Sequence, residues 1–200
     1  YFARLLEADK QYEEAVVQFN KALSMDKSHT EIYKDISDVY EKKRDFPKAI
    51  EAYKNYLDEM KSSPDISDLF LYGRLNYYAA TDSAYQDKQP TYLAEADTIF
   101  AQVAVKVPDN YLGNFWRARV NSLRDPETTQ GLAKPYYEAA LSILEQKSDA
   151  TKSVLVECNS YLGYYYFVKE DYNQSKQYWN KILEIDPENE TATKALGGIK

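Results

Sequence analysis

Residues 2–23, FARLLEADKQYEEAVVQFNKAL, and residues 36–57, ISDVYEKKRDFPKAIEAYKNYL, say nearly the same thing 34 residues apart. Phe2, Leu6, Tyr12, Ala15, Phe19 and Leu23 recur as Ile36, Tyr40, Phe46, Ala49, Tyr53 and Leu57. A fixed period in this range marks stacked supersecondary units, each too small to bury its apolar face alone. In each stretch the apolar positions fall at helical spacing on both sides of a short polar break, Asp9–Tyr12 or Lys43–Asp45. That pattern predicts a helix, a turn and a second helix. An array of this kind offers an extended surface, so function is to be sought on surfaces before clefts.

Composition narrows the choices. Of the 200 residues, 44% are hydrophobic and 28% charged, which suits a folded chain and argues against disorder. A formal charge of −7 is the wrong sign for nucleic acid or an anionic membrane surface. No apolar run approaches the roughly 18–20 residues that span a bilayer, so direct membrane insertion is not expected. The chain opens at Tyr1, without a methionine and already inside a helical pattern, so an upstream segment able to carry targeting information is expected. A single cysteine, Cys158, permits no intrachain disulfide and reads as a small buried residue. Tyrosine is the outlier, with 20 residues.

The helix–turn–helix plan continues along the chain. The expected boundaries are 1–29 (a first repeat truncated at its start), 30–63, 64–110 with an insertion, 111–152 with an insertion, and 153–189. Residues 190–200 begin one more helix, around Leu196 and Gly197, that caps the open end. In the third repeat, Gly73 to Ala96 is 23 residues, about eleven more than a minimal unit of this type needs. The excess, centred on Asp82 to Pro90, is read as a surface loop or as an extension of both helices by about a turn and a half. The fourth repeat turns at Asp125–Thr128 and continues through Ala133, Tyr137, Ala140 and Ile143. No sustained period-2 run competes with an all-α reading.

The spacing Asn159-x2-Leu162-Gly163-x2-Tyr166, then Ser175-x3-Trp179, then Pro187 resembles the tetratricopeptide repeat pattern W-x2-L-G-x2-Y, A-x3-F, P. The second repeat follows it as Tyr33-x2-Ile36-Ser37-x2-Tyr40 with Ala49-x3-Tyr53. Small residues at Ala3, Gly73, Ala118 and Gly163 let paired helices approach, and an aromatic near the second small position fills the gap. Phe115-Trp116-Arg117-Ala118-Arg119, the segment Gly131 to Glu138 and the string Tyr161-Leu162-Gly163-Tyr164-Tyr165-Tyr166 are similar to a tyrosine-rich group of these proteins from Bacteroidetes. The resemblance implies a right-handed superhelix (an α-solenoid) of about five repeats with a C-terminal capping helix. It also implies an uncharacterised scaffold protein of a group often made with a signal peptide and placed in the cell envelope.

In that family the first helix of each repeat lines a concave groove that grips ligand peptides. Carried over, the groove positions are Arg4; Lys34, Asp35 and Asp38; Phe70 and Arg74; Phe115, Trp116 and Arg119; and Tyr161 and Tyr164. The pairs Phe70/Arg74 and Phe115/Arg119 are four residues apart and share a helix face. Mixed arginine and aromatic surfaces recur at protein-recognition hot spots; the competing reading packs these rings against neighbouring helices. Trp116 carries the main expectation, that its removal weakens capture of a partner and leaves helicity intact. The family's carboxylate clamp for acidic chaperone tails is missing, because Asp38 stands where asparagine is needed and Leu71, Leu112 and Trp116 occupy the remaining positions.

Catalysis is not expected. His29 is the only histidine, and neither it nor Cys158 has a partner for nucleophilic chemistry or zinc ligation. Asp125 with Glu127 could bind a hard cation weakly, though no calcium-loop pattern is present. No glycine-rich phosphate loop occurs, and no cofactor or metal is expected. The expected function is a non-enzymatic scaffold, a monomer or weak homo-oligomer, binding a protein or peptide in the groove. The rivals are a glycan- or nutrient-binding envelope module with aromatic platforms near Trp116 or Tyr164, and a self-assembling structural element joined through its ends.

Overall fold

A computed structural model describes residues 2–26, 28–60, 62–147 and 149–199. The expected helical start at Tyr1 and the last residue of the capping segment, Lys200, lie outside the described residues. Among the described residues eleven α-helices and one 3-10 helix follow one another, and there is no strand. They are α1 (Phe2–Ala8), α2 (Tyr12–Met25), α3 (Glu31–Lys42), α4 (Phe46–Glu59), α5 (Ile66–Thr81), α6 (Gln89–Lys106), α7 (Leu112–Arg124), α8 (Lys134–Leu144), α9 (Lys152–Val168), α10 (Tyr172–Ile185) and α11 (Glu190–Gly198). The 3-10 helix, Ser83–Lys88, precedes α6. The chain divides into two compact halves, residues 1–99 and 100–200.

In the N-terminal half, α1/α2 and α3/α4 are hairpins whose turns share one backbone device. Lys10 and Arg44 both take left-handed φ near +60°. Behind them Gln11 N–H donates to Leu6 C=O and Asp45 N–H to Tyr40 C=O, at 2.8 and 2.9 Å. This is the Schellman closure of a helix C-terminus, usually built with glycine. Glu170 repeats it in the C-terminal half, with Asp171 N–H donating to Tyr166 C=O. Three non-glycine residues therefore accept a strained conformation, because the two helices they join are clamped by packing.

That packing is close because small residues face one another. Ala15 and Ala49 are fully buried. The buried Ser37 hydroxyl on α3 reaches the C=O of Ala49 on α4 at 2.8 Å, and the Ser175 hydroxyl on α10 reaches the C=O of Gly163 on α9 at 2.8 Å. The same contact is made from opposite helices of the hairpin. One apolar cluster joins Ala3, Ala15, Phe19 and Leu23 to Ile36, Val39 and Ala52, and another joins Ala49, Tyr53 and Tyr56 to Leu75. Consecutive hairpins thus share a core, which is how short helices gain stability.

The residues centred on Asp82–Pro90 are neither an open loop nor purely longer helices. Asp82 caps the 3-10 turn by accepting from Ala84 N–H at 2.9 Å, and it also takes Arg44 at 2.7 and 3.0 Å. Tyr85 packs edge-on to Phe46, with centroids 6.3 Å apart, and donates to the Arg44 C=O. The insertion is clasped onto the turn of the preceding hairpin. The turn after α7 is also longer than its sequence suggested, running from Asp125 to Ala133 before α8.

Two glycines should respond oppositely to alanine. A Cβ on Gly163 would lie 2.7 Å from the buried Trp179 ring, whereas one on Gly197 meets nothing within 4 Å. Gly163→Ala should therefore destabilise the chain by about 1–3 kcal/mol through overpacking. Gly197→Ala should be neutral or stabilise by up to about 1 kcal/mol through helix propensity. Urea midpoints of the two variants check both.

Candidate partner-binding face

In the N-terminal half, the first helices of successive hairpins, α1, α3 and α5, carry the charged part of the expected site, and these charges are already engaged. Arg4 forks onto Asp35 with contacts of 2.9–3.2 Å. Lys42 bridges Glu7 on α1 and Asp38, the latter at 2.7 Å. Lys34 reaches the buried Asp68 at 3.1 Å, and Arg74 makes a longer contact of 3.5 Å with Glu41. Tyr53 and Tyr56 also point their hydroxyls at Asp68, at 3.3 and 3.4 Å.

The electrostatics follow from this crowding. Burial and then the neighbouring Asp38 push the Glu7 carboxyl up. Burial alone would raise Asp38, but hydrogen bonds with Glu7 and Lys42 bring it below its ordinary value. Asp38 and Glu7 together hold the Lys42 ammonium well above the usual lysine range. Burial works against charge on Lys34, yet its bond to Asp68 leaves it raised. Burial first and Asp68 next push the Tyr53 phenol far up, so it stays protonated. Between α3, α4 and α5 lies a cavity of about 270 Å³ lined by Lys34, Asp38, Tyr53, Leu71, Arg74 and Leu75. Phe70 is half-buried on the same helix as Arg74.

In the C-terminal half, burial corrects the part given to two aromatics. Phe115 is 3% and Trp116 8% exposed, so neither offers a ring face to a ligand. Trp116 stacks on Phe100 at 5.5 Å. Arg119 lies over both rings, 4.4 Å from the centre of Phe115 and 5.0 Å from that of Trp116. Its guanidinium donates twice to Glu157 on α9, at 2.7 and 2.6 Å. The arginine–aromatic motif is real, but what it recognises is the next repeat of its own chain. Tyr161 is half-buried, its ring 4.7 Å from Tyr137, and burial pushes its phenol up to about 12.

Tyr164 remains open, at 43% exposed, and Phe167 one turn on is 41% exposed. They edge a largely apolar cavity of about 230 Å³ whose other walls are Trp179, Lys194, Ala195, Gly198 and Ile199. Sequence reasoning missed Phe167, although its place three residues after Tyr164 puts it on the same helix face. It treated Trp179 only as core. Phe167 and Tyr172 meet at 54°, and Trp116 is covered.

The remaining candidates have structural roles. The buried Asp125 carboxylate accepts from the N–H groups of Gln130, Gly131 and Leu132 at 3.0, 2.7 and 3.4 Å. All three bonds end on Oδ2, while the Thr129 hydroxyl lies 3.4 Å from Oδ1, so the carboxylate organises its own loop. His29 is exposed beside Asp26. Cys158 is fully buried, and burial pushes its thiol up to about 12. Among the described residues no group of three or more histidine, cysteine, aspartate or glutamate side chains could hold a metal ion. Among the described residues no helix is long and apolar enough to cross a membrane.

Comparisons with known proteins agree with this architecture. A tetratricopeptide repeat profile matches residues 2–29 and 161–189. The crystal structure of the C-terminal part of a TPR repeat-containing protein from Cytophaga hutchinsonii is 31% identical, with a TM-score of 0.84 over 98% of this chain and 71% of that one. YrrB, described as a TPR protein with an unusual peptide-binding site, is 17% identical with a TM-score of 0.63, over 97% of this chain and 88% of that one. MamA is 14% identical with a TM-score of 0.68, over 96% and 98%. No curated protein matches. The fold is an all-α solenoid of helical repeats, and the chain belongs to the tetratricopeptide repeat family. The likeness to a Cytophaga protein bears out the expected kinship with Bacteroidetes.

Two measurements test the assigned roles. Trp116→Ala should cost about 3 kcal/mol or more of stability, as for a buried tryptophan, visible as a lowered urea midpoint. Cys158 should ignore a thiol reagent near neutral pH and react only on unfolding. Its raised value means the neutral thiol's contribution to stability is complete below the ordinary value of 9.0 and is lost as pH climbs toward 12. Rapid labelling of folded protein would overturn the burial.

Proposed function

We propose that the chain is a non-enzymatic scaffold that captures a protein or peptide segment along its first helices, seating an apolar side chain between Tyr164 and Phe167. Tetratricopeptide repeats generally serve as protein–protein interaction scaffolds. The observation that carries the finer reading is the pair of exposed aromatics over an apolar cavity backed by Trp179. Rigid aromatic anchors over a desolvated pocket are the usual source of binding energy at such surfaces. Tyr161 extends that site along the same helix. Arg119 lies in the same half, and in the N-terminal half Arg4, Lys34, Asp38, Phe70 and Arg74 form a proposed face of their own; the charged groups contribute orientation more than affinity because each is already paired. The peptide-binding site named for YrrB supports the kind of ligand, and the position on this chain rests on its own residues.

A displayed random-peptide library panned on the folded chain tests this reading. The selected peptides should share an aromatic or branched aliphatic residue. Tyr164→Ala with Phe167→Ala should weaken them at least tenfold, or about 1.4 kcal/mol, with unchanged circular dichroism. Equal binding by a folded double variant would place the site elsewhere.

A further inference from the structure

Four ion pairs join the first helices of successive hairpins in the N-terminal half. From α1 to α3 run Arg4–Asp35 and Glu7–Lys42, and from α3 to α5 run Lys34–Asp68 and Glu41–Arg74. The partners are 31, 35, 34 and 33 residues apart in sequence, about one repeat each time. At each step one pair runs from cation to anion and the other from anion to cation, so neither junction depends on net charge. Behind this double row the same hairpins meet through apolar surface, Ala3 and Phe19 against Ile36 and Ala52, and Ala49 and Tyr53 against Leu75.

We propose that the double row is an electrostatic latch that fixes the angle between successive hairpins and loosens with ionic strength while the hairpins stay formed. The two contacts respond differently to salt. Partly exposed ion pairs are screened once the Debye length falls to the size of the contact, while apolar burial is not. Each pair is individually weak, but the rows act together at the front of each junction while the apolar cluster behind serves as the hinge. Asp68 makes the firmest post, being buried and held by two tyrosines. Turn-edge pairs Lys43–Glu13 and Arg44–Asp82 join the same salt-sensitive set. The latch needs no ligand, so it stands or falls apart from the peptide-capture reading.

Energy transfer between dyes at Asp9→Cys and Gln86→Cys in the full chain reads the spread of hairpin angles, the buried Cys158 remaining unlabelled. Taking salt from about 0.01 M to about 1 M shrinks the Debye length from about 30 to about 3 Å and should broaden the distance distribution about twofold. Far-UV circular dichroism should not change. Arg74→Glu should give the broad distribution at low salt, and adding Glu41→Arg should narrow it again. A distribution indifferent to salt and to Arg74→Glu overturns the latch. If Arg74→Glu fails to fold, the salt series on the parent chain decides alone.

Discussion

Everything in this chain depends on how closely the two helices of one hairpin approach. Ser37 and Ser175 can bond the carbonyl of the opposing helix only because no larger side chain stands between the backbones. The same nearness leaves no room for a Cβ on Gly163 beside Trp179. Once that distance is fixed, the aromatic at Phe19, Tyr53 or Trp179 must fill the remaining gap. The short turn is then forced into a left-handed residue even where that residue is lysine, arginine or glutamate. Packing outweighs the local cost, since a clamped pair of helices leaves the turn few other geometries.

The spacing of small and aromatic residues made this contact legible in the sequence. Ala15 and Ala49, with Phe19 and Tyr53 four residues on, are enough to place two hairpins. The left-handed turns were not legible, because their usual marker is glycine and none stands at Lys10, Arg44 or Glu170. The candidate site was legible only in part. Phe115 and Arg119 sit at the spacing expected both of a recognition surface and of an internal staple. What separates the two is Glu157, which lies 38 residues from Arg119 and becomes its partner only in the folded chain. Asp125 is a similar case. Its carboxylate has the right chemistry for a cation, but three backbone N–H groups of its own loop arrive first.

Pairing within the chain changes what the first-helix surface can offer. A ligand charge placed near Asp38 or Arg74 must compete with Lys42 or Glu41, which are tethered and therefore at high effective concentration. Exchange of one ion pair for another gains little in a partly solvated site. An apolar side chain entering the cavity beside Tyr164 and Phe167 displaces only water, and it keeps the full benefit of leaving solvent. The acidic overall composition therefore says little about the ligand, and the exposed aromatics say more.

The same reasoning divides labour between the two kinds of contact. Apolar clusters hold each hairpin to the next and set whether the array folds, since repeat stability is built from unit and neighbour terms. Ion pairs in front of those clusters contribute less energy but have stricter geometry, because charged hydrogen bonds weaken quickly off axis. A surface stitched this way can be firm in shape without being the main source of stability. That is a useful property for a scaffold, whose receptor surface then needs little ordering when a segment docks.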